Sequence, residues 1–443
     1  MKPDRGDEPI PAPSSAVEMT GDGNKAEQVD DDDACPEGGY GWVVVACIAA
    51  VNATTWGLNT TYGVYQSFYL QNNYFTGGSP LRYAFVGGLS VGTAFILAPI
   101  ANYLSKRFTF RVPMLMGIVC ATLGQALAGI STDYGMLAGF QGVVFGLGLG
   151  LTLVPCQPLL AHWFQKRLAL AQGLSNAGSG VGGLIFSNTT RLAIETVGLK
   201  YSLVINGLIS LVVLTPAVIL MRGRVKQLKA KSEPLQIQYL WHPGFFWVWL
   251  QGMLGMMGFF ITVFSLASYA SDGLGLSQTQ AAALQSILSA GQMIGRPLVG
   301  LGLDFAGRIN TTIIIHWLSG LSCFAFWLPS RSFGLLVVFA ISIGGLGGTV
   351  WGATPPIAQS VIGTQHLASA LAVYWVIVAA PACFANPIAI ALLDRLQGDA
   401  PVRTPETYRA STALCGTFYI LAGIVAIGAK RYVQGNWRVM QKA

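Results

Sequence analysis

Charge is scarce in this chain of 443 residues: Asp, Glu, Lys and Arg make up 10% of it, where soluble domains carry roughly 25%. That shortage excludes a mostly water-facing surface. No acidic residue falls in the middle of a long apolar run, since Glu195, Asp272, Asp304 and Asp394 all lie near run ends. Cysteine appears seven times (Cys35, Cys47, Cys120, Cys156, Cys323, Cys383, Cys415) with no CxxC. The six in apolar runs read as small core hydrophobes, so no metal site, cofactor or disulfide framework is expected. Neither HExxH nor GxSxG occurs, and without paired acids in an apolar run a membrane-embedded enzyme has no machinery. The net charge of +7 comes from short basic clusters between apolar runs. They do not form a phosphate-binding face, and nucleic acid is excluded as a partner.

Hydrophobic residues make up 53% of the chain. A helix needs about 20 apolar residues to cross hydrocarbon. Twelve runs are candidates: roughly 42–70, 81–104, 112–131, 135–161, 168–190, 201–221, 244–270, 279–303, 311–328, 333–354, 368–392 and 408–430. The expected fold is an all-α membrane protein, with twelve transmembrane helices in two six-helix halves. The divisions are a disordered cytoplasmic tail (1–36, with the acid run Asp30–Asp33), a first half (37–221), a cytoplasmic linker loop (222–243), a second half (244–432) and a cytoplasmic C-terminus (433–443). Polar residues fill the first segment, so no signal peptide is read there. Lys106, Arg107, Arg111, Lys166, Arg167, Arg222, Arg308 and Lys430 gather on one side. The positive-inside rule puts that side and both termini in the cytosol. The plasma membrane is the first expectation for location and the vacuolar membrane the second.

The halves echo each other. Leu89-Ser-Val-Gly92 answers Leu288-Ser-Ala-Gly291, and Gly146-Leu-Gly-Leu-Gly150 before Pro155 answers Gly344-Gly-Leu-Gly-Gly348 before Pro355. Repeat-built transporters place their site at the midplane between halves. Gly178-Ser-Gly-Val-Gly-Gly183 matches GxGxxG but lies inside a run with no preceding strand, so close helix packing explains it better than a dinucleotide. Of the sequons at Asn52, Asn59, Asn188 and Asn310, Asn188 lies closest to the outer face.

Arg296 sits in the middle of the apolar stretch Ala281 to Leu303. A fixed charge at that depth costs about 2.5–3.5 kcal/mol on insertion scales unless it faces a bundle interior or a watery cavity. Its guanidinium offers a fork to a carboxylate. The rival reading is a structural bond to carbonyls freed near Pro297. Asn59, Tyr62 and Gln66 share a face of the first run and are expected to line the cavity. Tyr374 and Trp375 would stack on a flat substrate or serve as packing aromatics. His316 and His366 are not assigned as proton relays.

Three ordered motifs carry a resemblance. Gly300-Leu-Gly-Leu-Asp-Phe-Ala-Gly-Arg308 matches the G-x3-D-x2-G-R loop of the major facilitator superfamily. Its first-half counterpart, Ala98 to Arg111, has Asn102 where the pattern has Asp. Pro36-Glu-Gly-Gly-Tyr-Gly-Trp42 resembles the opening of the monocarboxylate porter family, and Trp163 to Gly178 resembles its segment at the fourth cytosolic-side loop. Trp56 to Val64 resembles the fungal branch.

The resemblance spans Glu37 to about Tyr432. It implies a major facilitator fold working by alternating access, with latch loops carried by Asn102, Arg107, Arg111, Lys166, Arg167, Asp304 and Arg308. It also implies that Arg296 handles a carboxylate. The family's acid, four residues earlier, falls at Gln292, and its lysine at about Thr60. Gln292 cannot exchange a proton near neutral pH, so coupling to protons as a partner is left open. The expected function is secondary transport of a small or medium organic anion across the bilayer, with export of an acidic secondary metabolite weighed equally against uptake. The alternatives are uptake of a vitamin-like molecule such as riboflavin, or a nutrient receptor of the same fold. No protein partner is read from the chain.

Overall fold

The structure is a computed structural model that describes residues 37–72, 74–223, 237–363, 366–397 and 403–434. The expected tail, most of the expected linker loop and nearly all of the expected C-terminal segment lie outside the described residues. What is described is almost entirely helical. Among the described residues, ten helical runs are long and apolar enough to cross a membrane. With one more polar run, the helices in chain order are α1 (Gly41–Leu70), α2 (Pro80–Arg107), α3 (Arg111–Ala128), α4 (Tyr134–His162) and α5 (Leu168–Leu220). They continue as α6 (Pro243–Gly273), α7 (Gln278–Ala306), α8 (Arg308–Trp327), α9 (Phe333–Ile362), α10 (Ser369–Gln397) and α11 (Pro405–Val433). The polar run is α7, which carries Gln285, Gln292, Arg296 and Asp304.

Local chemistry sets the helix ends. Ser79 accepts a hydrogen bond from the Arg82 amide at 3.2 Å, with Pro80 in the first turn of α2. Asp133 accepts from Met136 N at 3.0 Å to start α4. Ser277 and Gln280 close a reciprocal capping box on α7. Two glycines supply backbone that other residues resist: Gly198, at φ 85°, breaks α5 into two arms, and Gly307, at φ 94°, turns the chain from α7 into α8.

The polarity is arranged inside out. Val212, Ile219, Ile314, Leu321 and Leu298 are exposed on the outer surface. Asn52, Asn59, Gln141, Gln251, Gln285 and Gln292 are buried. In water such a surface would aggregate, whereas in lipid it is the stable arrangement. α1, α3 and α5 pack together, as do α6, α8 and α11, and two seams join these groups: α5 on α7, and α2 on α10.

Both seams run over small residues. In α5, a Cβ at Gly178 or Gly182 would collide with the backbone of α1 at Ala49 or Ala53. A Cβ at Gly173 or Gly180 would strike α7 at Arg296 or Met293. The GxGxxG run thus serves two faces of one helix. On the other seam, Gly88 and Gly92 lie against Cys383 of α10. Without a hydrophobic drive between helices in lipid, this close approach supplies the association energy.

Gly182→Val should therefore destabilise the protein by about 1–3 kcal/mol, the usual penalty of overpacking. Gly334→Ala, which meets nothing within 4 Å, should change stability by less than about 0.5 kcal/mol. Thermal unfolding in detergent reads both, and equal midpoints for the two variants would refute this account of the packing of α5 on α1.

Candidate functional site

Gln285, Ser289, Gln292 and Arg296 recur at helical spacing on the face of α7 that turns inward. Arg296 is 8% exposed. Its Nη1 donates to the carbonyl oxygen of Asn176 at 2.7 Å and to the hydroxyl of Ser179, both on α5. The guanidinium lies against Gly348, where a Cβ would stand 3.0 Å from Nε and from Nη2. Arg296 thus grips the neighbouring helix and takes none of the carbonyls freed by Pro297. Its Nε has no partner, and neither does either amide atom of the buried Gln292.

Gln292 and Arg296 line a cavity of about 20 Å³, which has room for roughly one water. Asn52, Trp56, Asn59 and Thr60 of α1 line it, with Asn176 and Ser179 of α5. Phe259, Phe260 and Val263 of α6, Gln292 and Arg296 of α7, and Trp351 of α9 complete the wall. One side is amide-rich and the other aromatic. Trp56 and Trp351 face each other at 4.6 Å, and Phe95 and Trp375 stack behind them at 5.0 Å. Besides Arg296 Nε and the Gln292 amide, the Trp56 Nε1 and Asn176 Nδ2 donors are buried and unpartnered. An unpartnered buried polar group costs about 1–3 kcal/mol. Several such groups on residues around one cavity make it the candidate site for a polar ligand. Among the described residues, no acidic side chain lines the cavity and Arg296 makes no ion pair.

The structure brings Asn59, Gln292 and Arg296 together here, along with Thr60. Tyr62 instead lines an adjoining cavity with Tyr65, Ser90, Gln125 and Gln141, and its hydroxyl donates to Tyr83 O at 2.6 Å. Asn59 lines both cavities and donates to Ser90 Oγ at 2.7 Å. Gln66 is half-buried and lines neither. Tyr374 lies outside the wall, its hydroxyl accepting from Thr354 at 3.3 Å, and Trp375 stands one layer behind Trp351. Sequence reasoning did not select Asn52, Trp56, Asn176, Ser179, Phe259, Phe260 or Trp351. The two asparagines carried a usable signal, an amide inside an apolar run.

At the end where the basic loops gather, two carboxylates hold the start of α5. Asp304 accepts from Ala169 N at 3.3 Å and Leu170 N at 2.9 Å. Glu37 accepts from Gln165 N at 2.8 Å, Lys166 N at 2.6 Å and Arg167 N at 3.3 Å. Exposed amides and the helix dipole both favour an anion there. Arg308 donates to Pro356 O at 3.1 Å and reaches Gln359 and Ser360 of α9. Arg111 donates to Ile219 O and Met221 O, at the far end of α5. Arg107 is exposed, as are the side chains of Lys166 and Arg167, and Asn102 is half-buried on α2.

Residues 42–387 match the family model of the Major Facilitator Superfamily. The "Probable transporter MCH2" of Saccharomyces cerevisiae is 30% identical over 362 residues, 81% of this chain and 76% of that protein. "Monocarboxylate transporter 12" of Xenopus laevis is 28% identical, with 88% of each chain covered. "MFS transporter asaE" of Aspergillus flavus is 26% identical, covering 98% of this chain and 97% of its own. Among solved structures, the proton:xylose symporter XylE bound to 6-bromo-6-deoxy-D-glucose superposes with a TM-score of 0.66 at 14% identity, over 87% of this chain and 94% of that one. At that identity the likeness concerns the fold.

The two-acid clasp gives a direct prediction. In Asp304→Asn, hydrogen exchange in a peptide covering residues 165–172 should speed up by about tenfold to a hundredfold, because a charge-assisted bond contributes ~1.5–3 kcal/mol. Unchanged exchange would mean that Asp304 does not hold α5.

Proposed function

The chain belongs to the Major Facilitator Superfamily, as a multi-pass integral membrane transporter, and from that premise we propose that it moves a small or medium organic anion by alternating access, with Arg296 binding the carboxylate. The observation that carries this reading is that Arg296, Asn176 and Trp56, each with an unpartnered buried donor (Nε, Nδ2 and Nε1), line one cavity that no acid among the described residues lines. A carboxylate accepts from several donors at once and matches the guanidinium fork. The aromatic side of the cavity suits an apolar or conjugated body behind the charge. The resemblance to monocarboxylate porters, one of them the Xenopus laevis relative at 28% identity, supports the same substrate class.

The reading includes twelve spans. Ten runs qualify by composition. Gly198 divides α5 in two, and α7 adds the last, its polar residues turned into the bundle. The residues 37–221 and 244–432 form two halves that rock about the cavity. By the positive-inside rule the end with the basic loops is read as cytosolic, and the contacts of Glu37, Asp304, Arg308 and Arg111 there support its reading as a latch between neighbouring helices. The plasma membrane is the proposed location. Substrate enters or leaves after the helices part, since the cavity as it stands is far smaller than such an anion. Export of an acidic metabolite and uptake stand side by side, and the sign of flux in the assay below separates them.

The test is transport of a labelled panel (lactate, 4-hydroxybenzoate, succinate and riboflavin) by the full chain in proteoliposomes. Arg296→Ala and Arg296→Gln should each lower carboxylate flux by at least about tenfold, the equivalent of one charged hydrogen bond. Riboflavin, with no carboxylate, should be moved poorly. Flux at the wild-type level in both folded variants would remove Arg296 from the site, and preferred riboflavin transport would favour the vitamin reading.

A further inference from the structure

We propose that the cavity adjoining that of Arg296 is a second subsite, which takes a neutral hydroxyl carried on the far side of the substrate from its carboxylate. The proposal rests on reading Arg296 as the partner of the carboxylate and names what the other end of the substrate meets. The adjoining cavity, of about 10 Å³, has room for one oxygen-sized group. It lies among α1, α2, α3 and α4, and among the described residues Asn59 alone lines both cavities.

The chemistry of the lining selects the occupant. Among the described residues no charged side chain lines this cavity, so a carboxylate or an ammonium enclosed there would lack a counter-charge. Three polar groups are committed within the chain. Tyr62 donates to Tyr83 O at 2.6 Å, and the Tyr65 hydroxyl accepts from Asn206 Nδ2 at 2.6 Å. Ser90 Oγ accepts from Asn59 Nδ2 at 2.7 Å and donates to Gly87 O at 2.8 Å. Two buried glutamines remain. Gln125 of α3 has its Oε1 unpartnered and needs a donor. Gln141 of α4 has its Oε1 taken by the Tyr69 hydroxyl at 3.0 Å, so what it offers a ligand is N–H. A group that donates to the first and accepts from the second is a hydroxyl. An ammonium does not accept, and an ionised carboxylate or an ether oxygen does not donate.

Irregular backbone falls at the same place. Gln141 sits in a π-helical stretch of α4, Ala138–Val144, and Asn59 follows the π-helical stretch of α1, Ala53–Gly57. Such stretches are rare and recur at functional sites. Asn59 is the partition between the cavities, so a substrate with its carboxylate on Arg296 reaches Gln125 past a single amide side chain. A hydroxyl next to the carboxylate stays beside the guanidinium, whereas one carried across a ring enters the second cavity. Water has the same hydrogen-bonding chemistry, and the experiment separates the two sources.

Proteoliposomes containing the full chain are tested with labelled 4-hydroxybenzoate, benzoate and 4-methoxybenzoate, with flux into protein-free vesicles subtracted. The three share a ring and a carboxylate, and only the first donates from its far end. In wild type, kcat/KM for 4-hydroxybenzoate should exceed that of the other two by about tenfold to a hundredfold, because the analogues leave the buried Gln125 acceptor unpaired. Gln125→Met should bring the ratio to within about twofold of one. The methoxy comparison needs no variant, so it tests the proposal even where Gln125→Met does not fold. A wild-type ratio near one, or a ratio that Gln125→Met leaves unchanged, would overturn the subsite and leave water as the occupant. If flux of all three compounds is nevertheless lost in Arg296→Gln, the carboxylate reading stands without it. Flux unaffected by Arg296→Gln would overturn that reading and this inference with it, and absence of flux for all three would count against both.

Discussion

A guanidinium inside hydrocarbon must bring its own hydrogen-bond acceptors, because no water follows it there in bulk. Arg296 meets that demand by reaching from α7 to Asn176 and Ser179 on α5. The rest of the arrangement follows from that reach. α5 and α7 must be close enough for a carbonyl and a hydroxyl to lie at the guanidinium, which requires Gly173 and Gly180 where their backbones touch. α9 must leave room for the flat face of the group, which Gly348 provides. One side chain thus fixes the spacing of three helices, and the close contacts that lipid allows between small residues become the means of placing a charge.

The same geometry sets the guanidinium beside a break in α9. α9 departs from regular helix at Gly348, where φ is −83° and ψ 13°. Its glycines stack on α7 at Gly291 and Gly295. Trp351, one turn beyond, faces Trp56 of α1 and Trp375 of α10. The break in α9 therefore lies directly against the guanidinium, and one turn on it carries an aromatic group packed on α1 and, through Phe95 and Trp375, on the α2–α10 seam. Glycine at Gly348 is needed for its close contact with the cation, where a Cβ would stand 3.0 Å from two guanidinium nitrogens.

Much of this was legible in the sequence because membrane burial makes polarity conspicuous. An arginine, a glutamine one turn before it, and asparagines within apolar runs cannot be neutral choices in lipid. Arg296, Gln292 and Asn59 stand out for that reason. The glycine run at 178–183 was readable as a packing element, although not that alternate glycines serve opposite neighbours. Aromatic residues carry no such signal, since lipid, core and cavity all accept them. Trp56, Phe259, Phe260 and Trp351 were therefore passed over, while Trp375 lies one layer behind the wall. Asn176 and Ser179 were masked by the glycines around them. Helical periodicity carried Asn59 and Tyr62 to polar cavities but overreached at Gln66, because beyond Tyr62 the inward face continues through Tyr65 and Tyr69.

The distribution of acids completes the electrostatic picture. The segment before α1 touches both ends of α5. Glu37, held at a positive φ of 49°, takes three amides just before its start. Tyr40 donates to Leu220 O at its end, and its ring lies under Arg222 at 4.7 Å. With Asp304 adding two more amides, five backbone donors at the start of α5 are taken by two carboxylates from distant parts of the chain. The acids sit at the rim, where water and helix dipoles stabilise them, and the cation sits alone in the middle. Contacts at the rim thus satisfy their charges within the chain, whereas among the described residues no acidic side chain lines the cavity around Arg296.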